Sequence, residues 1–323
     1  MERTVLCGML LMSLPWQAFA QTTVLAPYPS RAVRLITPVT SGGTADFVAR
    51  AVAKKLAEAW GQQVIIDNRP GGSTMIGTEI AAKAAPDGYT LLMVSTSHAV
   101  NPSLQPKVPY NTLLDFTPVI QLVSSPNVLV TNPALPAKTV RELVSLARAR
   151  PGDITYGSGG TGTATHLGGA LLCLLAKVNM THVPYKGDAP ASIDLISGQI
   201  QWMFGTILPI MPHIKSGKMR AIAVSSVTRT QSLPEVPTVA ETIPQFEATS
   251  WYGIFTRSGV PKDIITQLNS ELARIINSPD MKDRLARDGT ESVGGSPEQF
   301  AAYFQASMMK WARVIAEAKI KIE

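Results

Sequence analysis

Residues 33–60 read VRLITPVTSGGTADFVARAVAKKLAEAW. An apolar run, Val33–Val39, gives way to the small and hydroxyl residues Thr40, Ser41, Gly42, Gly43 and Thr44. After them Val48, Val52 and Leu56 recur at i, i+4 and i+8, with Arg50, Lys54, Lys55 and Glu58 on the other face. The change of period predicts a strand, a glycine turn and an amphipathic helix over Thr44–Trp60. Val64–Asp67 reads as a second strand, Thr74–Ala84 as a helix and Thr90–Ser95 as a third strand. This βαβαβ order predicts a parallel sheet with helices on its faces.

A second series of the same kind starts near Val128. Its strands are expected at Val128–Thr131, Ile154–Tyr156, His182–Pro184, Gln201–Phe204 and Arg220–Ser225. Helices are expected at Thr139–Arg150, Thr163–Lys177, Ala189–Ser197 and Thr206–Ser216. A further extended run, Ser250–Thr256, leads into helices at Pro261–Asn277, Pro279–Asp288 and Ser296–Ala318. The last opens with Ser296, Pro297 and Gln299, the pattern of a capping box with proline in the first turn. Its face of Phe300, Phe304, Met308, Trp311 and Ile315 is expected to dock on the first lobe. The fold class is thus α/β with two lobes, residues 28–122 plus 253–323 and residues 123–252. Each lobe is expected to hold a mostly parallel sheet flanked by helices. The chain would cross between lobes near Val119–Ser124 and Trp251–Thr256, a rigid pair of strands that permits hinge closure.

Composition removes several classes of function. Of 323 residues, 29 are Lys or Arg and 23 Asp or Glu, a net charge of +6 that is scattered singly. No arginine stripe or aromatic platform suits nucleic acid, and only 6% of residues are aromatic. Met1–Ala20 has the make-up of a secretory signal: Arg3, the apolar stretch Val5–Leu14, and Ala18-Phe19-Ala20 before the cut. Cleavage after Ala20 is expected to leave an exported, soluble protein. Removal of Cys7 leaves Cys173, inside Leu171–Leu175, as an inert buried thiol.

The chemistry-bearing pattern is a repeated one. Ile154–Lys177 repeats the strand, glycine turn and helix, with Ser158, Gly159, Gly160, Thr161, Gly162 and Thr163 at the turn. Glycine lets backbone approach a ligand, and a helix start offers unpaired N–H groups with about half a positive charge. Two such turns, one per lobe, point to anion binding without a basic side chain. His166, in the first turn of the second helix, either donates to a ligand or caps the turn. Asp46 complements its helix dipole. Gly157, Gly159 and Gly162 fit a dinucleotide fingerprint, but no acidic residue follows at the next strand end. No nucleophile elbow or phosphate-binding lysine loop is present. The four histidines lack metal-ligand spacing, so no metal or other cofactor is expected.

These motifs, taken in order, resemble the periplasmic substrate receptors of tripartite tricarboxylate transporters, the Bug-type solute receptors. The resemblance runs from Tyr28 to the C-terminus. It rests on Gly42-Gly43-Thr44-Ala45-Asp46, Asn68-Arg69-Pro70-Gly71-Gly72, Pro86-Asp87-Gly88-Tyr89-Thr90, Gly157-Ser158, Gly160-Thr161-Gly162-Thr163 and His166-Leu167. It continues through His182-Val183-Pro184-Tyr185-Lys186-Gly187, Leu233–Glu241 and Trp251-Tyr252-Gly253. The resemblance implies a type II periplasmic binding protein fold and a monomeric, non-enzymatic receptor. Such a receptor would hand a small carboxylate-bearing metabolite to membrane transporter components. Its ligand contacts would fall on Thr40–Thr44 and Ser158–Thr163, with Ser95, Thr96, Ser97, His166, Tyr185 and Lys186 lining the rest. Val39 and Ala170 depart from the family pattern, the latter removing an acidic side chain expected near the cleft or hinge. A periplasmic lyase using His166 and Lys186, or a sensory receptor, remain the alternatives.

Overall fold

The computed structural model describes residues 28–287 and 289–322. The expected signal segment and its cleavage site lie outside them. In chain order the elements are β1 (Val33–Thr37), α1 (Thr44–Trp60), β2 (Val64–Asn68), α2 (Met75–Ala82), β3 (Thr90–Ser95), α3 (Thr96–Leu104), β4 (Phe116–Ser125) and β5 (Asn127–Thr131). There follow α4 (Val140–Ala149), β6 (Thr155–Ser158), α5 (Ala164–Ala176), β7 (Thr181–Pro184), α6 (Asp188–Ser197), β8 (Trp202–Thr206), α7 (Ile207–Lys215) and β9 (Arg220–Val224). The chain ends with β10 (Ser250–Arg257), α8 (Lys262–Ile276), α9 (Pro279–Arg287), β11 (Glu291–Gly294) and α10 (Pro297–Glu317).

Two sheets result, in the orders β11-β4-β10-β3-β1-β2 and β7-β6-β8-β5-β9. Both are mixed rather than mostly parallel. β1 runs parallel to β2 and β3, whereas β10 is antiparallel to β3 and β4. β6 runs parallel to β7 and β8, whereas β5 is antiparallel to β8 and β9. The reason is the crossing itself: β4 carries the chain out of the first sheet and β10 brings it back. A returning strand laid beside the outgoing one must run against it.

The first strand shows how the pattern builds both faces. Val33 and Leu35 pack among Val48, Val52 and Leu56 of α1 and Leu268 and Leu272 of α8. Ile36 points the other way, to Ala81, Phe255, Phe300 and Phe304. α1 stops at Gly61, whose left-handed φ of 63° lets its N–H reach the Ala57 carbonyl. In the second sheet, Leu129 and Trp202 face α4 and α5, while Val128 and Met203 face α6 and α7.

The crossing lies at Ser125–Asn127 and Ala248–Ser250, where β4 and β10 end and Ser250 pairs with Ser125. Asn127 ties it: its amide donates to Ser225 Oγ at 2.8 Å, and its Nδ2 to the Ala248 carbonyl and Ser250 Oγ, each at 3.3 Å.

α10 forms the expected capping box, Ser296 with Gln299. Its placement differs from the expectation of docking on the first lobe. Phe300 and Phe304 enter the first-sheet cluster with Trp251 and Phe255. Trp311, Val314 and Ile315 enter the second-sheet cluster with Leu167, Leu171 and Phe204. Lys310 between them pairs with Glu247. The helix is 21 residues long, about 30 Å at 1.5 Å per residue, enough to straddle both cores.

Candidate functional site

A cavity of about 280 Å3 lies between the sheets. It is walled by Ser95, Thr96 and Ser97 on the first lobe and by Gly159, Thr163, Thr165, Gly187, Asp188 and Thr206 on the second. Asn127, Ser250 and Tyr252 complete it from the crossing strands. The starts of α3, α5, α6 and α7 meet here, with Ser95, Thr163, Gly187 and Thr206 as their N-cap residues. The first-turn amides of a helix have no intrahelical partner and carry the positive end of its dipole. None of the residues lining this cavity is Lys, Arg or His.

Several expected residues stand elsewhere. Thr40, Ser41, Gly42 and Gly43 are exposed and do not line the cavity. Thr44 approaches it through Tyr252. The first loop is shaped by Asp46, which accepts from the Gly42 amide at 3.1 Å, Arg50 Nε at 2.8 Å and Asn68 Nδ2 at 3.0 Å. The Arg50 hydrogen bond holds the Asp46 carboxyl below the usual carboxylate range. Its role is to fix the turn.

The second glycine loop uses most of its own donors. Gly159 N–H donates to Thr165 Oγ1 at 3.1 Å, Gly160 N–H to Ser158 Oγ at 3.2 Å, and Gly162 N–H to His166 Nδ1 at 3.1 Å. These three amides are taken up within the loop, whereas the helix-start amides of Ala164 and Thr165 have no intrahelical partner. Gly159 serves by its lack of a side chain, since a Cβ there would stand 2.6 Å from Asp188 Oδ1. Thr161 and His166 face a separate cavity of about 550 Å3 behind the loop, shared with Tyr156, Cys173, His182 and Ile320. His166 stacks on His182 with ring centres 3.7 Å apart, and His182 Nε2 meets Ser158 Oγ at 2.7 Å. Burial pushes the His166 imidazole down to about 3 and that of His182 to about 4. Ala170 also faces this rear cavity and not the cleft. Burial pushes the Cys173 thiol up to about 12, which keeps it a thiol and unreactive.

After β7, Tyr185 donates its hydroxyl to Asp194 at 2.7 Å and Lys186 is exposed; neither lines the cleft. The pair His166 and Lys186 is thus not brought together there. The two residues after them, Gly187 and Asp188, do line it. Asp188, Thr206, Asn127, Ser250 and Tyr252 were not anticipated as lining the cleft. Thr206 carried a usable signal, a hydroxyl between strand and helix like Thr44 and Thr163. Burial raises the Asp188 carboxyl above its ordinary value and pushes the Tyr252 phenol up to about 12.

With this geometry in view, comparison with known proteins is informative. The family described as "Tripartite tricarboxylate transporter family receptor" matches residues 48–320. The UPF0065 protein of the tcbD–tcbE intergenic region of Pseudomonas sp. (strain P51) is 37% identical over 99% of this chain and 95% of its own. Protein BugT of Bordetella pertussis is 35% identical over 92% of each chain. Among solved structures, R. palustris Rpa4515 with adipate superposes with a TM-score of 0.82 at 36% identity, covering 91% of this chain and 99% of its own. MatC from Rhodopseudomonas palustris with bound malate gives 0.76 at 30% identity, covering 89% and 100%. The chain belongs to the tripartite tricarboxylate transporter (TctC) receptor family of solute-binding proteins.

Proposed function

We propose that this receptor captures a small carboxylate-bearing metabolite in the periplasm, after cleavage following Ala20, and delivers it to membrane components of a tripartite tricarboxylate-type transporter. The observation that carries this reading is the convergence of the α3, α5, α6 and α7 starts on one cavity without a basic side chain. Preorganised amide and hydroxyl donors in a dehydrated cleft hold an anion without the desolvation cost of a buried cation. Adipate in Rpa4515 and malate in MatC are ligands of that class. The cavity lies below the range of about 300–1,000 Å3 usual for drug-sized ligands, which favours a compact metabolite. The protein acts as a monomer that binds and releases its ligand unaltered.

The test is mass spectrometry of whatever leaves the purified protein on denaturation, followed by calorimetry with that compound. A carboxylate recovered intact after prolonged incubation is the expected result. A protein that holds no carboxylate, or that converts it, overturns the reading.

The grip depends on the lobes coming together. Gly162, at φ 80°, lies against Leu104 of the first lobe, and a Cβ there would stand 2.2 Å from Leu104 Cδ2. Overpacking of this kind costs about 1–3 kcal/mol. Gly162→Ala is therefore expected to weaken ligand affinity by about ten- to a hundredfold, because it penalises the closed state. Leu104→Ala in the same chain restores most of the loss. Calorimetry on the single and double variants decides it; equal affinity in the single variant and the parent removes closure from the account.

A further inference from the structure

The cavity that would take a carboxylate has an acidic side chain in its own wall. Asp188 opens α6, but its carboxylate is turned into the cleft, with Oδ1 over Gly159 and Oδ2 3.5 Å from the Thr206 hydroxyl. Its neighbours are hydroxyls and backbone; Thr165, Thr206 and Tyr252 surround it, and no cation lines the cavity. A buried acceptor beside it is unmet. Asn127, 1% exposed, uses its Nδ2 on Ala248 and Ser250, and its Oδ1 has no partner among the described residues. Thr96 Oγ1, likewise buried, has none either.

Asp188 is held by hydroxyl and amide donors alone, so its negative charge has no counter-charge in the cavity, and a buried acceptor without a donor, as at Asn127, is costly. A ligand that brought only carboxylates would set negative charge against Asp188. A ligand with an ammonium group would supply the missing charge and N–H donors while its carboxylate met the helix starts.

We infer that the ligand is an ammonium carboxylate, an amino-acid-like zwitterion, whose ammonium is received by Asp188 with Asn127 Oδ1 as a further acceptor. This rests on the receptor reading above and narrows its ligand class. Asp188 is thus the residue that selects between zwitterions and plain acids of the same length.

Calorimetry with matched pairs tests it: aspartate against succinate, glutamate against glutarate, 2-aminoadipate against adipate, 4-aminobutyrate against butyrate. The expected result is that a member with nitrogen binds about a hundredfold or more tighter than its partner, the scale of a buried charge left unpaired. Asp188→Asn is expected to bring that pair within about tenfold. A parent protein that binds the acid lacking nitrogen as tightly as its amino partner overturns the inference and leaves the receptor reading standing. Failure of every carboxylate in the set to bind overturns both. The parent's preference within a pair needs no variant, so a poorly folding Asp188→Asn does not blunt the test.

Discussion

Acidification below pH 6.5 is expected to unfold this protein steeply. His98 sits in a cage of rings, with Phe116 at 5.2 Å, Phe255 at 5.3 Å, Phe304 at 5.4 Å and Tyr110 at 5.9 Å, and neither ring nitrogen has a partner. Burial pushes its pKa down to about 3, and burial together with His182 does the same to His166. The sign follows from linkage. In the unfolded chain these imidazoles take up protons near pH 6.5, whereas in the folded chain they cannot until about pH 3. Their stabilising contribution is complete above pH 6.5 and is lost as pH falls from there toward 3. With His182, which burial pushes down to about 4, three such groups give a slope of about 4 kcal/mol per pH unit, set against a total stability of about 5–15 kcal/mol. Urea unfolding at pH 7, 6 and 5 reads that slope directly. His98→Phe is expected to lower it by about 1.4 kcal/mol per pH unit; at pH 7 no hydrogen bond is given up, and the larger ring in a filled cage costs about 1–3 kcal/mol at every pH, which leaves the slope unaffected. An unchanged slope in that variant would show that His98 is not among the groups responsible.

Trp311→Ala is expected to cost about 3–5 kcal/mol, the range for emptying a buried tryptophan site. Trp311 is 2% exposed and packs in the second-sheet cluster, although its helix starts on the first. Losing it empties space in the second core and loosens the hold of α10 on that core. Thermal unfolding should then show a broadened or split transition beside the lowered midpoint. A single sharp transition within 1 °C or so of the parent, less than one kcal/mol would give, would contradict the bridging role. Met309, exposed on the same helix, serves as a control whose change to Ala leaves the melt unmoved.

Much of the architecture was legible because its elements alternate with clear periods. Val48, Val52 and Leu56 at helical spacing after a short apolar run leave little choice but strand then helix. What was not legible has definite physical causes. α3 carries Thr, Ser, His and Asn with Pro102 near its end, so no apolar stripe marks it, yet its start supplies the first-lobe wall of the cleft. The face of α10 announces burial but not against which core. Free and self-bonded amides look alike in a sequence, so the folding back of Thr165 and His166 on Gly159 and Gly162 in the second glycine turn could not be read from it. Asn127, Ser250 and Tyr252 meet across more than 120 positions, and no local pattern announces that meeting.

Points on a rotation axis stay where they are while everything else swings. Asn127 and Ser250 stand where the chain passes between lobes, and both also wall the cleft. Whatever angle the two halves make, this part of the floor keeps its geometry, whereas Ser95–Ser97 and Thr163–Asp188 travel with their own halves. The order of events in capture follows. On the proposed closure of the lobes, a solute would settle first on this stationary floor and meet the groups carried by the two halves afterwards.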